Sequence, residues 1–166
     1  KLNSIDGRLF LAKTHIDGAA NSKVYFGLRH DNTLVAVISV RAVQAKKYSN
    51  VLEISRMAFV NNAIVRGGAS KMIKHVYEWC RNQGYDGLLT YADLRFGTGN
   101  VYEACGFKCL GDTTSINYWY TDGTRRFHRF TYRAQAGLSE TLYAASQNVR
   151  PIFGAGNRIY MLRDKV

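Results

Sequence analysis

"AIVRGGASKMIKHVYEWC", residues 63–80, decides the fold. Its first part is a glycine-containing turn. Its second part places Met72, Ile73, Val76, Trp79 and Cys80 at the i, i+1, i+4, i+7 and i+8 spacing of one helix face. Lys71, Lys74, Glu78 and Arg81 fill the wet side, and Gly84 stops the helix. Upstream, Val51 to Val60 reads as a strand ended by Asn61-Asn62. Downstream, Leu88 to Ala92 reads as another strand. This order predicts a helix that crosses between two parallel strands.

Working outward, Val24–Leu28 and Leu34–Val43 read as strands joined by the turn His30-Asp31-Asn32-Thr33. Asn100 to Ala104 reads as a short helix stopped by Gly106. Ser115–Tyr120 and Arg126–Arg133 read as a strand pair around Thr121-Asp122-Gly123-Thr124. A helix near Ser139–Ser146 and a strand over Arg158–Leu162 finish the chain. There is no internal repeat, and Pro151 is the sole proline. The expectation is a mixed α/β (α+β) sheet in one domain, 1–166, with 135–166 as a C-terminal helix and strand extension.

Composition narrows the function. Hydrophobic content of 46% with 13% aromatics is that of a globular chain. The longest apolar-rich run, Leu34–Val40, is far too short to cross a bilayer, so no membrane role is expected. Three cysteines, Cys80, Cys105 and Cys109, form no CxxC, so a metal site is not indicated and a reducing cytoplasm is the default. Lys plus Arg is 23 against 12 Asp plus Glu, a net of +11. That excess points to polyanions, nucleic acid first.

Four places carry candidate chemistry. The turn Val65–Lys71 offers free backbone N–H groups at a helix N-terminus, with Arg66, Gly67, Gly68, Ala69, Ser70 and Lys71 around an anion; taken alone it reads more readily as a plain, tightly packed turn. Asp93 lies just past the C-terminal end of a strand, where α/β sheets bind ligands. It is either a proton acceptor or a turn cap. Arg95 is placed to hold a phosphate, and Tyr102 is either in the same cleft or a core aromatic. Arg56 is a charge in an apolar strand and needs a partner: Glu53, Asp93 or a ligand. Finally, "NYWYTDGTRRFHRFTYR" sets Arg125, Arg126, Arg129 and Arg133 among aromatics that include Tyr118 and Trp119. As a strand it would put Arg125, Arg129 and Arg133 on one face. Such a hairpin suits phosphates and stacked bases, or is simply solvated.

The order strand, Gly-rich turn, helix, strand, short helix with tyrosine, then Gly-Phe resembles the GNAT acyltransferases. Gly67 and Ala69 fit that family's Gln/Arg-x-x-Gly-x-Gly/Ala pyrophosphate turn; Ile64 departs at its first position. "HIDGAANSKVYFGLRHDNTLVAVISV", "LEISR", "GGASKMIKHV" and above all "TYADLRFGTGNVYEACGF" narrow the resemblance to a phage group. It is the GNAT-like domain related to the Mom DNA-modification protein of phage Mu, also found linked to homing-endonuclease-like proteins. The match runs from about Phe10 to Leu162.

The resemblance implies a GNAT-like acyl-CoA N-acyltransferase fold, acetyl-CoA as cofactor, and DNA as substrate. The implied reaction is Mom-like: adenine N6 is altered, to a carbamoylmethyl form in Mom itself, protecting phage or prophage DNA from restriction inside the bacterial host cytoplasm. It implies catalytic roles for Asp93, Tyr102, Ser70 and Arg56, with Tyr102 protonating the CoA thiolate, and it marks His15 without giving its role. Two other readings stand: an N-acetyltransferase of a protein or small molecule, and a non-catalytic DNA-binding module of a nuclease.

Overall fold

The computed structural model describes residues 1–45, 47–113, 118–135 and 137–164; the Tyr118 side chain also lies outside the described part. Elements follow in the order α1 (Ser4–Thr14), β1 (Val24–His30), β2 (Thr33–Ala42), β3 (Val51–Phe59), α2 (Gly68–Asn82), β4 (Gly87–Asp93), α3 (Asn100–Ala104), β5 (Lys108–Asp112), β6 (Tyr118–Thr121), β7 (Arg126–His128), α4 (Glu140–Ser146), β8 (Arg150–Phe153) and β9 (Asn157–Arg163).

Six strands form the main sheet in the order β1-β2-β3-β4-β9-β5. β3 and β4 run parallel, joined by α2 as the sequence predicts; the other neighbours are antiparallel. Met72, Ile73, Val76 and Cys80 bury the apolar face of α2 against Phe26, Ile38, Val40, Leu52, Ile54 and Leu88. Ile73 is 1% exposed, so truncating it to alanine should destabilise the fold by about 2–5 kcal/mol. On the opposite face, Leu11 of α1 packs on Tyr25, Val37 and Ala58, while Val51, Leu89 and Ile159 form a separate cluster.

Two features open the sheet at its centre. The β3–β4 ladder covers only Val51↔Gly87 to Ile54↔Thr90, although β3 continues to Phe59 and β4 to Asp93. At the same level β3 is bulged against β2. Ser39 faces Arg56 and Val40 faces Ile54, leaving Ser55 unpaired. The extra residue bends the strand. Ser55 Oγ is held 2.7 Å from Ser22 Oγ and 3.0 Å from Ser39 Oγ.

Residues between β5 and β9 build a second, three-stranded sheet, β7-β6-β8. Tyr120, Ala144 and Val149 form its core, with Phe127 and Tyr132 packed against them. Pro151 sits in the edge strand β8, where a missing N–H is tolerated.

Several expectations change. Arg126–Arg133 is not one strand: β7 stops at His128 and Arg129–Tyr132 is a 3-10 turn. His128 Nδ1 accepts from Phe130 N (3.3 Å), and Tyr132 folds inward onto Tyr120, its ring 5.1 Å away. The shared face of Arg125, Arg129 and Arg133 therefore does not exist. The strand read at Ser115–Tyr120 runs Tyr118–Thr121, and residues 115–117 lie outside the described residues. Helix α1 and strands β5 and β8 have no counterpart in the sequence reading. Within 135–166, read as a C-terminal helix and strand extension, β9 lies inside the main sheet between β4 and β5.

Candidate active site

A cavity of about 720 Å³ occupies the split between β3 and β4. Alternation along the two strands gives it two sides. Ile54, Met57 and Ala92 point to the α2 face and are joined there by Gly99 and Tyr102. Glu53, Tyr91 and Asp93 point to the other face, where His15, Asp17, Arg41 and Trp119 complete the wall. The opening thus passes through the sheet. Backbone groups on the inner edges of β3 beyond Ile54 and of β4 beyond Thr90 no longer pair with each other. They can receive an extended, amide-bearing ligand.

On the α2 side, Tyr102 stands at the fork. Burial pushes its hydroxyl above the ordinary phenol range, with a hydrogen bond to the Thr90 side chain pulling the other way. The proton therefore stays on at neutral pH. Gly99 (φ 86°) caps α3 in a left-handed conformation; a Cβ there would come within 2.9 Å of Ala92 Cβ and collide with the Tyr160 ring.

The turn before α2 lies further along this face. Gly67 is the N-cap of α2 with φ 69°, and a Cβ on it would meet nothing within 4 Å. Among the described residues, Gly68 N donates to Val65 O and Lys71 N to Gly67 O, whereas the N–H groups of Ala69 and Ser70 have no backbone partner. The first turn of α2 carries no acid, and Arg66 and Lys71 are exposed beside it. Free donors and the positive end of a helix dipole are the features that suit an anion. Ser70 belongs to this turn and not to the cavity wall; its Oγ accepts from Cys105 Sγ at 3.5 Å.

On the opposite side the charges are organised differently from the sequence expectation. Asp93 is gripped by Arg95: Nε donates to both carboxylate oxygens (2.9 and 3.1 Å), Nη2 donates to Oδ2, and Arg95 N donates to Oδ1 (3.0 Å). Arg95 holds the Asp93 carboxyl below its usual range, so Asp93 is a hydrogen-bond acceptor more readily than a base. Arg95, expected at a phosphate, has its fork filled. Arg56 pairs with neither Glu53 nor Asp93. It donates to Gly18 O (3.2 Å) and Ser55 O (2.7 Å), because the bulge turns it toward the loop after α1.

Glu53 is the residue that sequence reasoning undervalued. It is 5% exposed on the cavity floor. Its Oε1 accepts from Arg41 Nη2 (2.6 Å) and Nε (3.0 Å), and no other hydrogen bond reaches the carboxylate among the described residues. A signal existed: Arg41 and Glu53 both interrupt apolar strands, and they are cross-strand partners. His15 lines the same chamber. Its Nδ1 accepts from Asp17 N (3.1 Å), and burial, with Arg56 nearby, pushes its pKa down; the ring is neutral with its proton on Nε2.

The second sheet closes this chamber. Arg126 Nη1 lies 3.1 Å from Asp17 Oδ1, with side-chain exposures of 24% and 17%. The same guanidinium stacks 4.7 Å from the Trp119 ring centre, and Trp119 lines the cavity. Arg126 is therefore an internal latch and not a surface cation. Arg129 pairs with Glu140 (3.4 Å). Arg125 and Arg133 remain exposed; Arg125 approaches Asp122 (3.4 Å) and Arg133 lies over Phe130 (4.3 Å). For Tyr118, the backbone pairs with Phe153, and its side chain is outside the described part. Among the described residues no group of three or more His, Cys, Asp and Glu side chains is arranged around a metal position, and no helix is long and apolar enough to span a membrane.

Residues 11–162 match the model of the Mom protein family. No protein of curated function matches the sequence. Solved structures share the fold. The ribosomal-protein-S18-alanine N-acetyltransferase of Escherichia coli aligns with a TM-score of 0.59 at 12% identity, over 99% of this chain and 92% of that one. An acetyltransferase of Bacillus subtilis in complex with CoA aligns at 0.56 and 13%, over 98% and 95%. A protein described as a streptothricin acetyltransferase from Bacillus anthracis, in complex with acetyl coenzyme A, aligns at 0.51 and 11%; this chain spans 88% of its own length and 65% of that protein's. At such identities the likeness shows a common GNAT fold.

Proposed function

The chain belongs to the Mom protein family, and from that premise we propose that it uses acetyl-CoA to modify DNA at the exocyclic N6 amino group of adenine, in the service of a phage or prophage evading restriction. The observation that carries this reading is the cavity through the sheet, with a phosphate-type turn and a protonated tyrosine on one side and a chamber lined by charged groups and Trp119 on the other. A net charge of +11 supports a polyanionic partner.

The residues fit acetyl-CoA. Gly67 leaves room for a phosphate, Ala69 and Ser70 offer free N–H groups, and Arg66 and Lys71 offer charge. The parted edges of β3 and β4 suit its amide-bearing arm. When bound, acetyl-CoA supplies a two-carbon unit activated as a thioester. Tyr102 stands ready to give its hydroxyl proton to the departing sulfur. Glu53, fixed by Arg41, presents its remaining oxygen to the acceptor amine, and Asp93, held ionised by Arg95, offers a further acceptor. Trp119 gives a flat apolar wall to a base, its ring braced by Arg126. The amino group of a paired adenine is not reachable inside a duplex, so the base is extruded or the substrate is single-stranded.

The deciding experiment is to incubate the protein with acetyl-CoA and DNA, digest to nucleosides and weigh them. A heavier deoxyadenosine supports the reading, and the added mass separates an acetyl from a carbamoylmethyl group. Unaltered nucleosides, with acetyl-CoA consumed only when a protein or small amine is added, would replace it with ordinary N-acetyl transfer.

A further inference from the structure

We infer that Ile16 and Phe96 are wedges that enter duplex DNA at the mouth of the cavity and fill the gap left by an extruded base; this rests on the DNA-base reading above. Both side chains line the cavity, yet Ile16 is 62% and Phe96 59% exposed. Both are large apolar groups on the lining of the same cavity, so together they present exposed apolar surface to whatever approaches it. They come from two different segments of the chain. Ile16 projects from a turn after α1 closed by Gly18 N donating to His15 O (2.8 Å). Phe96 projects from a turn after β4 closed by Phe96 N donating to Asp93 O (3.0 Å).

Each wedge is braced by charge. Arg95, clamped on Asp93, lies 5.0 Å from the Phe96 ring centre. Asp17, beside Ile16, is ion-paired with Arg126 (3.1 Å). Stiff bases are what an intercalating side chain needs, because a flexible one would fold back onto its own surface. The occupant is set by charge and shape together. A chain with an excess of 11 positive charges attracts a phosphate backbone. A chamber that takes one planar base from a duplex leaves a hole of base-pair size beside its mouth, and apolar side chains commonly fill such holes.

The test uses the double variant Ile16→Ser/Phe96→Ser, with each single variant alongside and melting curves to confirm folding. A mixed-sequence duplex is probed with permanganate, which oxidises thymines that have lost their stacking, and its modification is compared with that of the same strands separated by heat. Wild-type protein should render thymines reactive, and the double variant should not. The ratio of duplex to single-strand modification should fall on the order of 10- to 100-fold in the variant. A variant that keeps the wild-type footprint and ratio overturns the wedges. So does a wild-type protein that modifies separated strands alone and leaves duplex thymines unreactive, an outcome under which the base-modification reading stands. Wild-type protein that modifies neither form removes that reading, and the wedges with it.

Discussion

Ile54 and Thr90 are the last residues of β3 and β4 to face each other across the parallel ladder. Directly at that fork Thr90 Oγ1 donates to Ile54 O (3.4 Å), and the Tyr102 hydroxyl lies close enough to the Thr90 side chain for its pKa to be pulled down by it, against the larger upward push of burial. The point where the sheet parts and the point where a proton is stored are therefore the same place. Tyr102→Phe should lower kcat by about 10²- to 10⁴-fold while acetyl-CoA affinity is kept. Because burial raises the hydroxyl's pKa, wild-type turnover should show no alkaline fall assignable to Tyr102 up to the ordinary tyrosine value of 10.0. Rate profiles against pH for both proteins, with calorimetric binding, check this.

The two carboxylates of the acceptor side should separate. Glu53 has an oxygen to spare; Asp93 has both engaged by Arg95. Glu53→Gln should reduce turnover by about 10²-fold or more, and Asp93→Asn should do less to kcat and more to KM by freeing Arg95. Equal kcat losses in folded variants would show that the two acids act as one unit.

Removing one side of the Asp17–Arg126 latch leaves a partly buried charge without its counterpart. Asp17→Asn should destabilise the protein by about 1–3 kcal/mol in urea unfolding, and Arg126→Gln by a similar amount. The double variant should lose less than the sum of the two. Strict additivity would mean that the pair is not energetically coupled.

Acidification should act through His15. Its folded pKa lies below the ordinary 6.5, so the unfolded chain takes up the proton first. Stability should drop as pH falls through 6.5 and level off once the folded ring is also protonated. Melting temperatures between about pH 7.5 and pH 5.5 should show this decline in the wild type and a flatter line in His15→Asn, whose side-chain oxygen can still accept from Asp17 N.

Arg125 and Arg133 are the exposed cations of the second sheet expected to meet phosphates. Every phosphate that is no longer neutralised should flatten the log–log salt dependence of duplex binding by about 0.9. Arg125→Ala with Arg133→Ala measured at several salt concentrations gives the slope, and an unchanged slope places the DNA elsewhere.

What the sequence made legible was local. Met72, Ile73, Val76 and Cys80 announce α2 because one face of one helix meets one core. The turn at Gly67 and the strand before Asp93 follow from the same short-range logic. Helix α1 escaped because Ile5 and Leu9 are exposed while Gly7 and Leu11 are buried, so no apolar stripe forms. Strand β5 is exposed throughout and bulged near Gly111, which leaves no alternation to read. The site's pairings were hidden for a different reason. Arg41–Glu53 is a register pairing between strands, and Asp17–Arg126 joins distant segments, so neither leaves a spacing signal. Arg95 did stand beside its partner Asp93, but two adjacent charges do not say whether they hold each other or a ligand.

The place of β9 sets an order of assembly. It lies between β4 and β5, and among the described residues β5 has no other strand beside it. While the chain is being synthesised, β1 to β4 and α2 can collapse together, but β5 must wait with its backbone unpaired until residues 157–163 emerge. The second sheet, made from nearby segments, can form in that interval. Closing the main sheet is thus a late, long-range event, slow by its loop entropy. A ribosome stalled before β9 would hold a half-sheet with an open β4 edge, ready to pair with the wrong chain.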